Sequence, residues 1–285
     1  MTVSGLNPTY SIKYFRPGMY KVVKFHRGFV PHLPSDREVL GEREEEGGKY
    51  SQAISRAKSV IYQVAVCNDW EWFVNFTIDP KKYDRYSFGP FYKKFTQWLR
   101  DYRKKYGCKI EYLLVPEQHK DGAWHMHGLM RGIPADHLSK FVPGIHPQKL
   151  VDKGYMNWGR CGAKFGFCSL GPIGDPLKVA GYVTKYITKD LLESNNRFGA
   201  HLYFCSLGLR RAQSLGFVYG SYLALDRYLN HHGQFCDVGW AYDVHWSEFL
   251  PYLDVSETFV IDYGLDDEVF VDLTSDQFEQ LSMFH

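Results

Sequence analysis

The sequence predicts an α+β fold, in which helices pack on an antiparallel or mixed sheet. Helical periodicities alternate along the chain with short runs of β-branched and aromatic residues. The segments "CKIEYLLVPEQH" and "AWHMHGLMRG" are separated only by "KDG", which predicts a hairpin and therefore neighbouring antiparallel strands. With 285 residues, 45% of them hydrophobic, the chain can bury a substantial core.

Three helices are predicted, each by a separate signal. Residues 49–69 repeat apolar side chains at helical spacing. Residues 88–107 carry a proline near the start and a glycine at the end, which are typical of helix termini. In residues 175–193, Asp175 is a suitable cap and the proline after it suits the first helical position.

Four strands are predicted from β-branched and aromatic runs. The first is "WEWFVNFTID", which Pro80 closes, and the next two form the hairpin. The fourth is "GAHLYFCSLGL", residues 199–209. Together these segments predict a domain over residues 49–230, preceded by an N-terminal extension with a charged linker (1–48) and followed by a C-terminal extension (231–285).

The charge is divided unevenly between these regions. The net charge is only +2, yet residues 231–285 contain 12 acidic residues and no lysine or arginine. The rest of the chain therefore has a net charge of +14, which suits a polyanion such as nucleic acid. The acidic, aromatic C-terminal extension suits a partner protein or the protein's own basic groove, unless it is a strand-rich completion of the fold.

Several classes of protein are not supported. The N-terminus lacks the apolar segment of a signal peptide, and no apolar run is long enough to span a membrane. The six cysteines form no C-x-x-C pair, so we expect free thiols in a reducing cytoplasm. A nucleotide-binding Walker A sequence is also lacking, which argues against an attached ATPase.

A metal site is predicted within "WHMHGLM". On a strand, alternate side chains share a face, so His125 and His127 point the same way and can chelate a divalent cation. A three-residue turn ending in a left-handed Gly122 would set Glu117 opposite His125. A two-residue turn would instead set Gln118 there. A pair of hydrogen-bonded or surface histidines is the alternative interpretation.

A second cluster is predicted on the helix that begins near Asp175. At ~100° per residue, its tyrosines and lysines fall within one arc, and an aliphatic stripe lies on another. A phenol attacks poorly until it is activated, and a nearby cation favours the phenolate. The arc therefore suits nucleophilic catalysis, although tyrosines that merely flank the core would give the same pattern. Its members are Tyr182, Lys185, Tyr186 and Lys189.

These residues resemble the HUH endonuclease superfamily. "HMH" fits its histidine–hydrophobe–histidine motif, "YVTKYITK" is similar to the two-tyrosine motif of single-stranded-phage initiators, and "WFVNFTIDP" resembles the first motif of rolling-circle initiators. The histidines precede the tyrosines, as in replication initiators and unlike relaxases. "YLLVPEQHKDGAWHMHGLM" especially resembles initiators of small bacterial plasmids and microvirus-like phages. The resemblance covers roughly residues 50–210.

The resemblance implies a fold and a chemistry. A central antiparallel sheet would carry the histidine motif, with the tyrosine helix packed against it. Glu117, His125 and His127 would hold Mg²⁺ or Mn²⁺, and Tyr182 or Tyr186 would attack a phosphodiester of single-stranded or extruded origin DNA. The products would be a 5′-phosphotyrosine and a free 3′-OH for rolling-circle replication. "YITKD" also resembles a one-tyrosine motif, in which Tyr186 alone would be the nucleophile.

Further residues and partners follow as expectations. Lys185 and Lys189 would contact the phosphate. The expected DNA contacts are Thr77, Asp79, His119, Arg100, Arg103, Lys104 and Lys105, of which the last four lie on the basic side of a helix. The C-terminal extension would bind a host helicase, polymerase or single-strand-binding protein, in the bacterial cytoplasm. The alternative functions are an HUH transposase and a non-catalytic module that binds single-stranded nucleic acid.

Overall fold

A computed structural model describes most of the chain and divides it into two compact units. The described residues are 8–26, 46–185, 202–253, 259–261 and 269–271. Residues 42–210 form one unit, here called the central unit. Residues 1–41 and 211–285 together form the other, here called the terminal unit.

The central unit is built on a seven-stranded sheet. All paired strands are antiparallel, in the order β6-β7-β8-β3-β5-β4-β9. The structure therefore confirms the α+β prediction and resolves the sheet as antiparallel. The strands are β3 (Trp72–Ile78), β4 (Glu111–Gln118), β5 (Trp124–Arg131), β6 (Ser139–Lys140), β7 (Met156–Asn157), β8 (Gly166–Pro172) and β9 (Phe204–Cys205).

Five helices belong to the central unit. They are α1 (Glu46–Cys67), α2 (Phe88–Tyr106), α3 (Gln148–Asp152), α4 (Gly159–Phe165) and α5 (Pro176–Thr184), and a short 3₁₀ turn spans Ala135–His137. The three predicted helices correspond to α1, α2 and α5. The predicted continuation of α5 beyond residue 185 lies outside the described residues, and the predicted strand at 199–209 is described as a strand only at β9.

Helix α2 covers one face of this sheet with aromatic side chains. The Phe95 ring lies 5.3 Å from that of Phe76 on β3, and the Phe88 ring lies 5.3 Å from that of Trp124 on β5. The helix ends where Gly107 adopts a left-handed conformation with φ of 60°. Side chains alternate along a strand, so the residues between Phe76 and Trp124 in the pairing lie on the opposite face of the sheet.

The terminal unit contains a five-stranded antiparallel sheet, in the order β10-β1-β2-β12-β11. Its strands are β1 (Tyr10–Arg16), β2 (Met19–Phe25), β10 (Gln213–Val218), β11 (Leu229–His232) and β12 (Cys236–Tyr242). A short helix α6 (Leu223–Asp226), 3₁₀ turns at Trp246–Glu248 and Leu250–Tyr252, and the hairpin β13 (Phe259–Ile261) and β14 (Val269–Val271) complete the elements described.

The terminal unit divides the chain differently from the predicted boundaries. Strand β1 pairs with β10 and β2 pairs with β12, so the two chain ends build one sheet instead of two separate extensions. Pairing between strands about 200 residues apart leaves no trace in local periodicity. The boundary between the units falls at residues 41/42 and 210/211, where the sequence predicted 48/49 and 230/231.

Two sequence expectations concern the environment of the protein. All six cysteines are free thiols, as predicted. Within the described ranges, no helix combines the length and the hydropathy that crossing a membrane requires.

Candidate metal and tyrosine site

The turn between β4 and β5 has the predicted three-residue geometry. The His119 amide donates to the Ala123 carbonyl at 2.9 Å, and the Gly122 amide donates to the His119 carbonyl at 2.8 Å. Gly122 is left-handed, with φ of 84°, which favours glycine at this position. Glu117 consequently pairs with His125 across the two strands. The predicted register is confirmed, and the two-residue alternative is wrong.

Three neighbouring strands bring polar side chains to one face of the sheet. His125 pairs with Glu117 on β4 and with Thr77 on β3, while His127 pairs with Asn75 on β3. Paired residues project to the same side of a sheet. This face is opposite to the one that α2 covers, so the five side chains form a polar group, here called the histidine cluster.

His127 has an oxygen atom beside each ring nitrogen. Its Nε2 lies 2.6 Å from Glu117 Oε2, and its Nδ1 is hydrogen-bonded to Asn75 Oδ1. Burial lowers the pKa of His127, although the Glu117 carboxylate works against that shift. We therefore take the ring as neutral near pH 7. A neutral imidazole carries only one N–H, so it can donate to only one of the two oxygens.

His125 is held by two contacts. Its Nδ1 lies 3.2 Å from Thr77 Oγ1, and its ring stacks on that of His119, with centroids 3.6 Å apart. Burial, reinforced by the neighbouring His119 and His127, lowers the pKa of His125 to about 4. The uncharged ring is the form of histidine that binds a metal ion. Both histidines thus direct Nδ1 to a polar residue of β3.

The donor chemistry of the cluster fits a divalent cation. A cation between Glu117 Oε2 and His127 Nε2 would satisfy both atoms, while His127 Nδ1–H donates to Asn75; metal-bound histidines usually have such a partner. In the part of the chain that the structure describes, however, no three His, Cys, Asp or Glu side chains are arranged as a metal-binding group. The triad of Glu117, His125 and His127 stays a prediction.

Helix α5 presents Tyr182 beside this cluster. Asp175 caps the helix by accepting from the Leu177 and Lys178 amides, as predicted. Ala180 and Val183 are buried, whereas the side chain of Tyr182 is 46% exposed. The alternation of faces on β3 places Phe73 on the same side as the histidine cluster, and two ring contacts run through it.

Those ring contacts link the tyrosine to the histidine. Tyr182 meets Phe73 edge-on at 5.3 Å, and Phe73 stacks near His127 at 6.3 Å. The Nζ of Lys185 lies 5.7 Å from the centre of the Tyr182 ring. The structure therefore brings Tyr182 and Lys185 to the vicinity of the cluster. Tyr186 and Lys189 lie outside the described residues, so their placement is not tested.

The predicted DNA contacts fall into two groups. Thr77 and His119 contact His125, and Asp79 follows Thr77 at the end of β3. The backbone amide of Lys81 and the ammonium of Lys82 lower the pKa of Asp79. The second group lies on α2, which covers the opposite face of the sheet: Arg100, Arg103, Lys104 and Lys105.

Arg103 differs from the other basic residues of α2. Its guanidinium donates to the Ile110 carbonyl and lies 5.6 Å from the centre of the Tyr112 ring. It therefore ties the end of α2 to the start of β4. Arg100, Lys104 and Lys105 are exposed. A role of these four residues in binding DNA stays a prediction, at a surface separate from the histidine cluster.

Asn75 is a site residue that the sequence analysis did not identify. The signal was available, because Asn75 and Thr77 alternate with apolar residues in "WFVNFTI" and must share a face. The missing information was the register between β3 and β5, which sets Asn75 opposite His127. Those two strands are about 50 residues apart in the chain, and no short turn fixes their register.

Comparison with protein families gives one match. The family model for the replication-associated protein ORF2 matches residues 71–191. This segment contains β3, β4, β5 and the described part of α5, and hence the whole histidine cluster and Tyr182. Searches of curated proteins and of solved structures give no match. The matched segment is similar to replication-associated proteins, which is consistent with a rolling-circle replication initiator.

Proposed function

We propose that this protein initiates rolling-circle replication by nicking one strand of origin DNA with a tyrosine. The observation that carries the proposal is the short path from Tyr182 through Phe73 to His127 on one face of the sheet. The family match over residues 71–191 supports the assignment to replication. The +14 charge of residues 1–230 suits a DNA substrate.

The reaction is a displacement at phosphorus. The phenolic oxygen of Tyr182, or of Tyr186, forms a bond to the phosphorus as the bond from phosphorus to the 3′ oxygen breaks. The phenol gives up its proton, and the departing oxygen takes up a proton to become a 3′-OH. The 5′ phosphate stays on the tyrosine, so the energy of the phosphodiester is kept for a later rejoining step.

The remaining side chains hold the phosphate and the cation. Glu117, His125 and His127 would bind Mg²⁺ or Mn²⁺, with Asn75 and Thr77 fixing the two imidazole rings. When bound, such a cation withdraws charge from a phosphoryl oxygen and so favours attack. Lys185 adds a positive charge near the Tyr182 ring, where it would favour the developing phenolate.

The test is covalent capture of DNA. The protein is incubated with labelled single-stranded fragments of the origin region and Mn²⁺, and an SDS-stable protein–DNA adduct is measured. We expect an adduct that Tyr182→Phe, Tyr186→Phe or both abolish. Tyr86→Phe is the matched control, because Tyr86 is 52% exposed and lies on the turn that precedes α2.

The pattern of loss identifies the nucleophile. Loss only with Tyr186→Phe would assign the one-tyrosine mechanism and leave Tyr182 as an accessory. Binding of the fragments without any adduct, at several Mn²⁺ and Mg²⁺ concentrations, would contradict the proposal and leave a non-catalytic binding module. Replication of a plasmid that carries the cognate origin separates an initiator from a transposase.

A further inference from the structure

A cavity of about 480 Å³ lies at the end of β3, next to the histidine cluster. Its volume is within the ~300–1,000 Å³ typical of sites for small organic groups. The lining includes Thr77 and Asp79 from β3, Asn157 from β7, Phe167 from β8, and two glycines of α4. All of these residues belong to the central unit.

One wall of the cavity is aromatic. The side chain of Phe167 is 45% exposed, although most phenylalanines of this unit are buried. Its ring stacks on that of Phe141, with centroids 5.8 Å apart and planes 25° apart. Phe141 is itself buried and also lines the cavity. An exposed ring supported from behind by another ring is a flat surface on which a planar group can stack.

Another part of the wall carries an amide with no partner. No residue in the described ranges hydrogen-bonds to the side chain of Asn157, which is half-buried. An ideal Cβ at Gly159 would lie 3.9 Å from Asn157 Nδ2, and one at Gly162 would lie 3.9 Å from Oδ1. The two glycines thus leave space around the amide. An amide offers both a donor and an acceptor, as base edges require.

Thr77 joins this cavity to the histidine cluster. It lines the cavity and its Oγ1 lies 3.2 Å from His125 Nδ1. A group in the cavity is therefore within a few residues of any phosphate held at the cluster. Lys82 donates to the Ala163 carbonyl at 3.0 Å and pairs with Asp79, so it adds positive charge at the same end of β3.

We propose that this cavity receives one unpaired nucleobase of the DNA strand, stacked on Phe167 and hydrogen-bonded to the Asn157 amide. The inference rests on the proposed function, because a strand cut at the cluster would present a base at this distance. The site would fix the strand relative to the cleaved phosphate. It would also give the enzyme a preference for the base at one position.

Binding of labelled oligonucleotides tests the inference separately from catalysis. The probes are an oligothymidylate of about twelve nucleotides and an abasic strand of the same length, because sites on single-strand-binding surfaces span ~4–16 nucleotides. Fluorescence anisotropy is measured without divalent cation. We expect Phe167→Ala to reduce the preference for the base-containing strand about tenfold, while the affinity for the abasic strand is unchanged.

A second variant narrows the cavity without weakening the fold. Gly162→Ala places a methyl group beside Asn157 and raises helix propensity within α4, so a folding defect is not expected to account for its effect. Ile145→Ala and Gly89→Ala are the controls: Ile145 is 75% exposed and does not line the cavity, and a Cβ at Gly89 meets nothing within 4 Å. Gly162→Ala should act like Phe167→Ala, and the controls like the wild type.

Two outcomes would overturn the inference. One is an unchanged preference for bases in both cavity variants. The other is tighter binding of free thymidine monophosphate than of the oligothymidylate, which would assign the cavity to a free nucleotide. The failure of the proposed function would differ from both, since the wild type would then bind the oligothymidylate in a cavity-dependent way yet give no adduct with origin DNA.

Discussion

The two units each contain a hydrogen-bonded polar cluster, and the clusters differ in how their atoms are matched. In the terminal unit, Asp226 accepts from the Tyr10 hydroxyl at 2.7 Å and from Lys24 Nζ at 2.8 and 2.9 Å. Donors and acceptors are therefore balanced there. In the central unit, His127 lies between two oxygens but carries one N–H as a neutral ring.

This difference separates a structural role from a functional one. A matched cluster stabilises the fold, because buried polar groups must find partners. A cluster with an excess of acceptors is most stable when it gains a cation. The comparison therefore predicts that changes in the terminal cluster lower stability and leave DNA cleavage intact. Changes in the histidine cluster should have the reverse effect.

The largest effect is expected from His127→Ala. Removing one donor of the predicted metal triad should lower the rate of adduct formation by about a thousandfold, since a catalytic metal supplies several kcal/mol of transition-state stabilisation. Single-turnover assays with excess protein measure this rate. His245→Ala, in the terminal unit, is the control. Adduct formation at the wild-type rate would remove the basis for a catalytic histidine cluster.

A smaller effect is expected from Asn75→Ala. The ring of His127 would lose the partner of its Nδ1, and loss of such a partner typically weakens metal binding by about 10–100-fold. Mn²⁺ titration followed by electron paramagnetic resonance measures the affinity without any DNA. Thr96→Ala is a control, because its hydroxyl bonds only within α2. Equal Mn²⁺ affinity in the wild type and Asn75→Ala would show that Asn75 does not position His127.

The terminal cluster supplies the matching stability test. Asp226→Asn should lower the free energy of unfolding of the terminal unit by about 1–2 kcal/mol, because hydrogen bonds to a carboxylate weaken. Burial acts to raise the pKa of Asp226, but the bonds from Lys24 and Tyr10 outweigh burial and hold that pKa below 3.8. The stabilisation is thus present above the unfolded-state pKa and is lost as pH falls through the lowered one.

Hydrogen exchange resolved by unit, at several pH values, measures this difference. The variant and the wild type should converge in stability as the pH falls below the range where Asp226 titrates. The rate of adduct formation should stay at the wild-type level near pH 7. A change in adduct formation as large as that from His127→Ala would contradict the separation between the two clusters.

The smallest effect is expected from Gly107→Ala. Gly107 ends α2 in a left-handed conformation with φ of 60°, where a side chain costs about 1 kcal/mol. A Cβ there would meet nothing within 4 Å, so backbone strain is the only cost expected. Thermal unfolding measures the loss. Because α2 lies on the face opposite the histidine cluster, a fall in Mn²⁺ affinity would show that the two faces are coupled.

The parts of this fold that the sequence predicted are those encoded locally. Gly122 fixes the turn and thereby the pairing of Glu117 with His125, and Asp175 fixes the start of α5. The parts that were not predicted depend on long-range pairing. The sheet that joins β1 to β10 and the partnership of Asn75 with His127 both connect segments that no short turn aligns.

The three-residue turn at residues 120–122 also restricts how the gene can change. The side-chain direction alternates along a strand, so adding or deleting one residue there would either turn Glu117 to the α2 side or force a compensating bulge. Substitutions at the exposed Lys120 would leave the register intact. Length variation among descendants of this chain should therefore be tolerated at other surface loops and be rare in this one.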